Sequence, residues 1–246
     1  MKLPWYKWVR DVEATVSEAV SSCVARDWDE DFISRHWLRA LIAKFPYVEI
    51  TNGPSSCRVQ WDAFKAVGKT ERKHGDIAVL VRLKFKRGEF LEGVAFLEAK
   101  RIYDTAYDAI KWPQLKYHAS NTANHRLLLY DKEPLDWRAN SHWNEHYGWR
   151  HGPDLWPWCF HDVHAFCLPS VHALALGSTD RGLNDLSQPL SWQLCCRFLR
   201  GFDLDYTDSL VAAVKQGIPE GVTYLLVANV SFDPEALVSN EVIELN

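Results

Sequence analysis

The chain of 246 residues has no apolar run near the roughly 18–20 residues that a bilayer-spanning helix needs. Its opening, Met-Lys-Leu-Pro-Trp-Tyr-Lys-Trp, carries neither the apolar stretch nor the small-residue cleavage site of a secretory signal. Together these absences predict a cytoplasmic protein. No Cys-x₂-Cys knuckle occurs, and the six cysteines (Cys23, Cys57, Cys159, Cys167, Cys195, Cys196) are scattered, as reduced thiols that mostly fill a core would be. A P-loop is missing, so ATP-driven work would need a partner. A Gly-x-Ser-x-Gly nucleophile elbow is missing too. There is no internal repeat and no low-complexity linker. The net charge of −4 argues against a protein that coats nucleic acid without specificity.

What is present suits one α/β domain over residues 1–246, with 47% hydrophobic and 13% aromatic residues to build a core. The stretch up to about Lys44 is predicted helical. Its second helix shows Ile33, Trp37 and Leu41 at helical spacing, with Asp27 as a candidate N-cap and Phe45-Pro46 as the stop. Residues 47–61 are predicted extended, interrupted at Asn52-Gly53-Pro54. Ile77 to Phe85 alternates, placing Ile77, Val79, Val81, Leu83 and Phe85 on one face and Asp76, Ala78, Leu80, Arg82 and Lys84 on the other. Glu89 to Arg101 runs back as a second strand after a turn at Lys86-Arg87-Gly88. A helix is predicted over about 104–120, kinked or split by Pro113. Further strands are predicted at 125–130, 164–168 and 223–230, with a helix at 191–200 stopped by Gly201. Residues 132–163, rich in Trp, His and Pro, read as an irregular insertion. Residues 187–246 read as a C-terminal extension beyond a core of about 27–174. Strands mixed with helices predict a mixed sheet flanked by helices.

The register of the hairpin is the informative calculation. A three-residue loop with Gly88 in its third, left-handed position makes Phe85 face Glu89. Counting back pairs Ile77 with Leu97, Val79 with Ala95 and Val81 with Gly93, and it sets Asp76 opposite Glu98 with Lys100 further along the same face. Opposed side chains have Cβ atoms about 4.5–5.5 Å apart. A two-residue Arg87-Gly88 turn would instead oppose Asp76 to Ala99. Two carboxylates so close repel each other unless a divalent cation lies between them. Oxygen ligands favour Mg²⁺ or Mn²⁺. Such an ion polarises a phosphate and activates a water, and Lys100 beside it would balance transition-state charge. The residues from Lys65 to Arg101 carry ten Lys or Arg against five Asp or Glu, a local +5 that leaves −9 for the rest. That stretch suits a polyanion-attracting site, or a solvated strand edge.

Gly75-Asp76, followed about twenty residues later by Glu98-Ala99-Lys100 at the end of an apolar strand, resembles the PD-(D/E)XK superfamily of restriction-endonuclease-like nucleases. The first part here is His74-Gly75-Asp76, without the nominal proline. The resemblance covers residues 27–130 and implies an αβββαβ core. It implies Asp76 and Glu98 as metal ligands, the Ala99 carbonyl as a further ligand, Lys100 as the catalytic lysine, and Mg²⁺ as cofactor with Mn²⁺ able to substitute. It also implies a glutamate on the preceding helix: Glu30, whose competing role is a capping box with Asp27, with Glu71 as a rival ligand. Some DNA-processing members carry Gln-x-x-x-Tyr on the next helix. Here Gln114-Leu115-Lys116-Tyr117 is one residue shorter, with His118 at the fourth position. The implied function is phosphodiester hydrolysis in DNA, in defence against foreign DNA or in DNA processing, by a homodimer or a subunit of a larger complex. The alternative is a nucleic-acid-binding or structural subunit on the same fold without chemistry.

One rival metal site is zinc held by His142, His146, His151, Cys159, His161, His164 and Cys167. The interleaved Trp143, Trp149, Trp156 and Trp158 point instead to an aromatic loop, either stacking on bases or packing against the core.

Overall fold

A computed structural model describes residues 1–52, 55–65, 75–85, 88–122, 124–138, 159–216 and 222–232. The elements run β1 (Lys2–Pro4), α1 (Trp5–Val24), α2 (Glu30–Lys44), β2 (Tyr47–Asn52), β3 (Ser55–Lys65), β4 (Ile77–Lys84), β5 (Phe90–Arg101), α3 (Trp112–Asn121), β6 (His125–Arg138), β7 (Cys159–Pro169) and α4 (Ser170–Leu176). A 3₁₀ turn at Arg181–Leu186, β8 (Gln188–Pro189), a helical stretch from Leu190 to Arg200, α5 (Asp208–Gln216) and β9 (Tyr224–Ser231) complete them. The nine strands form one mixed sheet in the order β1-β2-β3-β9-β4-β5-β6-β7-β8. Among the described residues no helix is long and apolar enough to cross a membrane.

Alternation decides which face of the sheet each side chain joins. Ile77, Val79, Val81 and Leu83 of β4, with Ala95 and Leu97 of β5, belong to a large core that also holds Trp8, Val12 and Val16 of α1 and Ile33, Trp37 and Leu41 of α2. The other face of β4, Ala78 and Leu80, joins Val94 and Phe96 in a smaller core under Val211 and Val214 of α5. The predicted two-faced strand is therefore present, but its second face is buried as well, by a helix whose apolar pattern was not read from the sequence. β9 joins both cores, through Tyr224, Leu226, Ala228 and Val230 on one side and Leu225 and Val227 on the other. A strand buried on both faces is nearly continuous in apolar residues, as Tyr-Leu-Leu-Val-Ala-Asn-Val is.

Several expectations are corrected. The N-cap of α2 is Asp29, whose carboxylate accepts from the N–H groups of Asp31 and Phe32, so Asp27 and Glu30 form no capping box. The helix expected over 104–120 begins at Trp112, and Pro113 stands in its first turn, where its missing N–H costs nothing. Residues 132–138 and 159–163 are not irregular. They extend β6 and β7 into an antiparallel arm with register shifts between Tyr130 and Leu135 and between Leu135 and Trp137. Only 139–158 of the expected insertion lies outside the described residues, as do Gly53-Pro54 and the turn residues Lys86-Arg87. The αβββ succession is interrupted: β9, from the end of the chain, lies parallel to β4 and antiparallel to β3, separating the two.

β5 and β6 are parallel, with α3 in the connection between them, and Lys100 sits beside Leu129. One residue on, the Tyr130 hydroxyl ties the sheet to α2. It lies 2.9 Å from Ser34 Oγ and accepts from Trp37 Nε1 at 2.8 Å, all three residues buried. Tyr130→Phe leaves two buried polar groups without this partner and is expected to cost about 1–3 kcal/mol, read as a lower urea midpoint at unchanged slope.

Candidate functional site

The β4–β5 ladder pairs Ile77 with Leu97, Val79 with Ala95 and Val81 with Gly93, as the three-residue loop requires. Gly88 has φ +78°, and the Phe85 N–H donates to the Glu89 carbonyl at 2.7 Å. Continuing the register by one residue sets Asp76 opposite Glu98.

At Asp76 the chain is held from three sides. Its N–H donates to the Leu97 carbonyl (2.8 Å), and its own carbonyl accepts from the N–H groups of Thr223 (2.8 Å) and Tyr224 (3.0 Å) at the start of β9. Its carboxylate Oδ2 accepts from Ala99 N–H at 2.9 Å. Gly75 makes this approach possible. Its φ is +104°, and a Cβ there would lie 2.9 Å from Leu97 O and 3.2 Å from His125 Nε2.

Glu98 and Lys100 follow Val94 and Phe96 along one face of β5 and end buried, at 3% and 5% exposure. Lys100 Nζ donates to Glu98 Oε1 at 2.7 Å and to the Ala99 carbonyl at 2.8 Å. The ammonium thus sits on two of the oxygens that the resemblance assigns to a cation. Glu98 Oε2 has no hydrogen-bond partner among the described residues, and His118 Nδ1 lies 3.8 Å from it. Removing Lys100 would leave a buried carboxylate uncompensated, a cost of about 3–5 kcal/mol.

Glu30 arrives from the other face. As the first residue of α2 it reaches over the end of the sheet, where its Oε1 accepts from Arg101 N–H at 3.2 Å. The Trp28 indole N–H donates to the Ile102 carbonyl at 3.0 Å, and the Arg101 guanidinium donates to the Trp28 carbonyl, fixing the start of α2 to the end of β5. Burial pushes the Glu30 carboxyl above its ordinary value. Lys100 and the Arg101 N–H pull it down, and the Asp76 charge pushes it up again. Glu30 is therefore brought to Asp76 and Lys100, the placement the resemblance implies, rather than to a cap. Glu71 lies outside the described residues.

On α3, Leu115 and His118 point inward and are buried, Gln114 is half-buried and Tyr117 is 52% exposed. His118, rather than a Gln114–Tyr117 pair, is the α3 side chain next to Glu98. Its ring lies 4.9 Å from that of His125, whose Nδ1 is 2.7 Å from Ser170 Oγ. His118, His125 and Ser170 were not read as site residues. Placing Leu115 on the apolar face of α3 would have found His118 three positions later, but nothing local marks the other two.

The donors at this end of the sheet, the Asp76, Glu98 and Glu30 carboxylates and the Ala99 carbonyl, are all oxygens suited to a hard cation. Among the described residues no three His, Cys, Asp or Glu side chains stand together at ligand spacing. By donor type these oxygens suit Mg²⁺, which keeps several waters and takes few protein ligands, and holding it there would require Lys100 to give up the Ala99 carbonyl. Among the described residues the zinc candidates do not converge. His161 is exposed beside Asp136, His164 Nδ1 meets the Asp131 carbonyl, and Cys167 is buried with its thiol pushed up to about 12 by burial. His142, His146, His151 and the four interleaved tryptophans lie outside the described residues. A cleft lined by Phe90, Glu92, Tyr206 and Lys215, and another between α1 and α2, both lie away from Asp76 and Glu98. Comparisons with family models, curated proteins and solved structures return no match.

The raised Glu30 pKa has a defined sign. The folded state keeps the Glu30 proton to higher pH than the unfolded chain does, so this stabilising contribution is full below the ordinary carboxylate range and is lost as the pH rises through the raised value. Glu30→Gln still accepts the Arg101 N–H and is expected to flatten that decline, measured by urea unfolding at steps upward from about pH 4.

Proposed function

We propose that the chain is a Mg²⁺-dependent nuclease of the PD-(D/E)XK kind that hydrolyses phosphodiester bonds in DNA. The observation that carries the reading is the convergence of Asp76, Glu98 and Lys100 at one end of the sheet, with Lys100 Nζ bonded to both Glu98 Oε1 and the Ala99 carbonyl. Asp76 and Glu98 would hold the ion, assisted by the Ala99 carbonyl and by Glu30, and Mn²⁺ would substitute. When bound, the ion supplies Lewis-acid polarisation of the scissile phosphate and a more acidic water.

The chain's own residues do the rest. The Ala99 N–H fixes the orientation of the Asp76 carboxylate. Lys100 holds a positive charge in a poorly solvated place, where it counts for more against a pentavalent phosphate than it would in water. Glu30 adds a carboxylate at the same end of the sheet, held by the Arg101 N–H. Gln114, half-buried on α3, would be a further assisting polar group. Cutting both strands of a duplex needs two such sites, which a homodimer or a larger complex acting in DNA processing or defence would provide.

A second reading is favoured by one observation: Glu98 and Lys100 are almost wholly buried and paired with each other through Glu98 Oε1. On that reading the pair is structural, and the protein is an inactive nucleic-acid-binding or structural subunit.

Cleavage of plasmid, linear duplex and single-stranded DNA in Mg²⁺ and Mn²⁺ separates the two. Asp76→Asn, at a half-exposed position, is expected to keep the fold and lose at least about a hundredfold in rate. Lys100→Met is compared only after its far-UV circular dichroism matches the wild type, since an unfolded variant would also be inactive. Cleavage surviving unchanged in a folded Asp76→Asn protein sinks the nuclease reading. A wild type that cuts nothing in either metal supports the structural one.

A further inference from the structure

Among the described residues of the charge run from Lys65 to Arg101, two arginines are already engaged. Arg82 is paired with Glu92 at 2.6 Å, and Arg101 is bonded to the Trp28 carbonyl and the Tyr103 hydroxyl. Arg35 and Arg39 of α2, in contrast, have no ion pair or hydrogen bond among the described residues. Arg35 lies over the face of Phe32, at 5.5 Å from its ring centre. Asp31, Arg35 and Arg39 recur at four-residue spacing, so they form one stripe down α2 that starts next to Glu30, with the two guanidinium groups rooted about 6 Å apart along the axis.

That stripe faces β3 and β9. Lys65, at the end of β3, lies over the Tyr224 ring at 5.3 Å and pairs with Asp31 at 3.4 Å, and the Tyr224 hydroxyl donates to Asp31 Oδ1 at 2.8 Å. Lys65 is the cation paired with Asp31, so Lys65 and the α2 stripe together carry a local +2, with both guanidinium groups unpaired among the described residues. The Tyr224 backbone N–H donates to the Asp76 carbonyl. The cluster is therefore one residue contact away from the candidate metal ligand.

We propose that Arg35, Arg39 and Lys65 form a docking surface for the sugar–phosphate backbone of a nucleic acid strand, leading it to Asp76. This rests on the reading of the carboxylate end as the site acted upon, but binding and cutting are separable. Planar guanidinium groups suit phosphate oxygens, and each phosphate contact releases counterions, so the surface has a salt signature. An acidic protein segment is the rival occupant, made less favourable by Asp31 in the middle of the stripe.

The test is fluorescence anisotropy of wild type, Arg35→Gln/Arg39→Gln and a control Lys7→Gln/Arg10→Gln on α1, in EDTA so that no strand is cut. The ligands are single- and double-stranded DNA, single-stranded RNA and a poly-glutamate peptide. The α2 double variant is expected to bind nucleic acid about tenfold or more weakly, with a salt slope shallower by about 2, while the control stays near wild type. Equal losses in both double variants, equal binding of poly-glutamate by the wild type, or no nucleic-acid binding by the wild type at low salt would each overturn the proposal. Loss of binding in the α2 variant alongside a wild type that never cuts would retain this surface and remove the nuclease. A cutting wild type whose α2 variant binds normally would do the reverse.

Discussion

The pairing of β4 with β5 is the constraint on which the site depends. Side chains on a strand change face at every residue, so a slip of one position would carry Glu98 and Lys100 into the core occupied by Val79 and Leu97 and bring Ala99 to face Asp76. Ile77, Val79 and Val81 on one side and Ala78 and Leu80 on the other are each buried in a different core, so both faces enforce the same register. Where the ladder ends, the Asp76 carboxylate takes the Ala99 N–H, and β9 takes the Asp76 carbonyl. Asp76 is thereby fixed to two strands at once.

That rigidity supports a cluster of charge that is unfavourable on its own. Three carboxylates and one ammonium meet where Glu98 and Lys100 have little access to water. The Lys100 ammonium offsets Glu98 directly, while the Arg101 N–H and Lys100 stabilise Glu30 against its burial. Glu98 Oε2, buried and without a hydrogen-bond partner among the described residues, is the least satisfied oxygen of the group. A divalent cation beside it would lower the energy of the whole cluster, which is the physical content of the nuclease proposal.

The hairpin and its register were legible because they are local. Alternation names the faces, and Gly88 names the loop, so Asp76 and Glu98 meet by counting. The helices at 5–24 and 30–44 and the stop at Phe45 were legible for the same reason. What failed depends on distance in sequence. Tyr224–Ser231 reads as a buried strand, yet nothing within it says that it enters between β3 and β4, a pairing about 150 residues away. The role of Glu30 turned on the cap of α2: Asp27 was the expected N-cap, but Asp29 accepts from the Asp31 and Phe32 N–H groups, and Glu30 reaches the Arg101 N–H in β5, a contact about 70 residues away in the chain. His118 was passed over because the spacing of Gln114 and Tyr117 drew attention to the wrong stripe of α3. Of the charge run from Lys65 to Arg101, Arg82 is spent on Glu92, a cross-strand pairing that a net count of charges does not show.

The central claim is that Asp76 and Glu98 together hold a divalent ion. Its most direct test is Mn²⁺ binding to the purified protein, followed by electron paramagnetic resonance across a titration. The account predicts one saturable site per chain in the wild type, weakened at least about tenfold in Asp76→Asn and in Glu98→Gln, with both variants folded. A wild type that leaves Mn²⁺ free, or an Asp76→Asn variant that binds it as tightly as the wild type, would contradict the account.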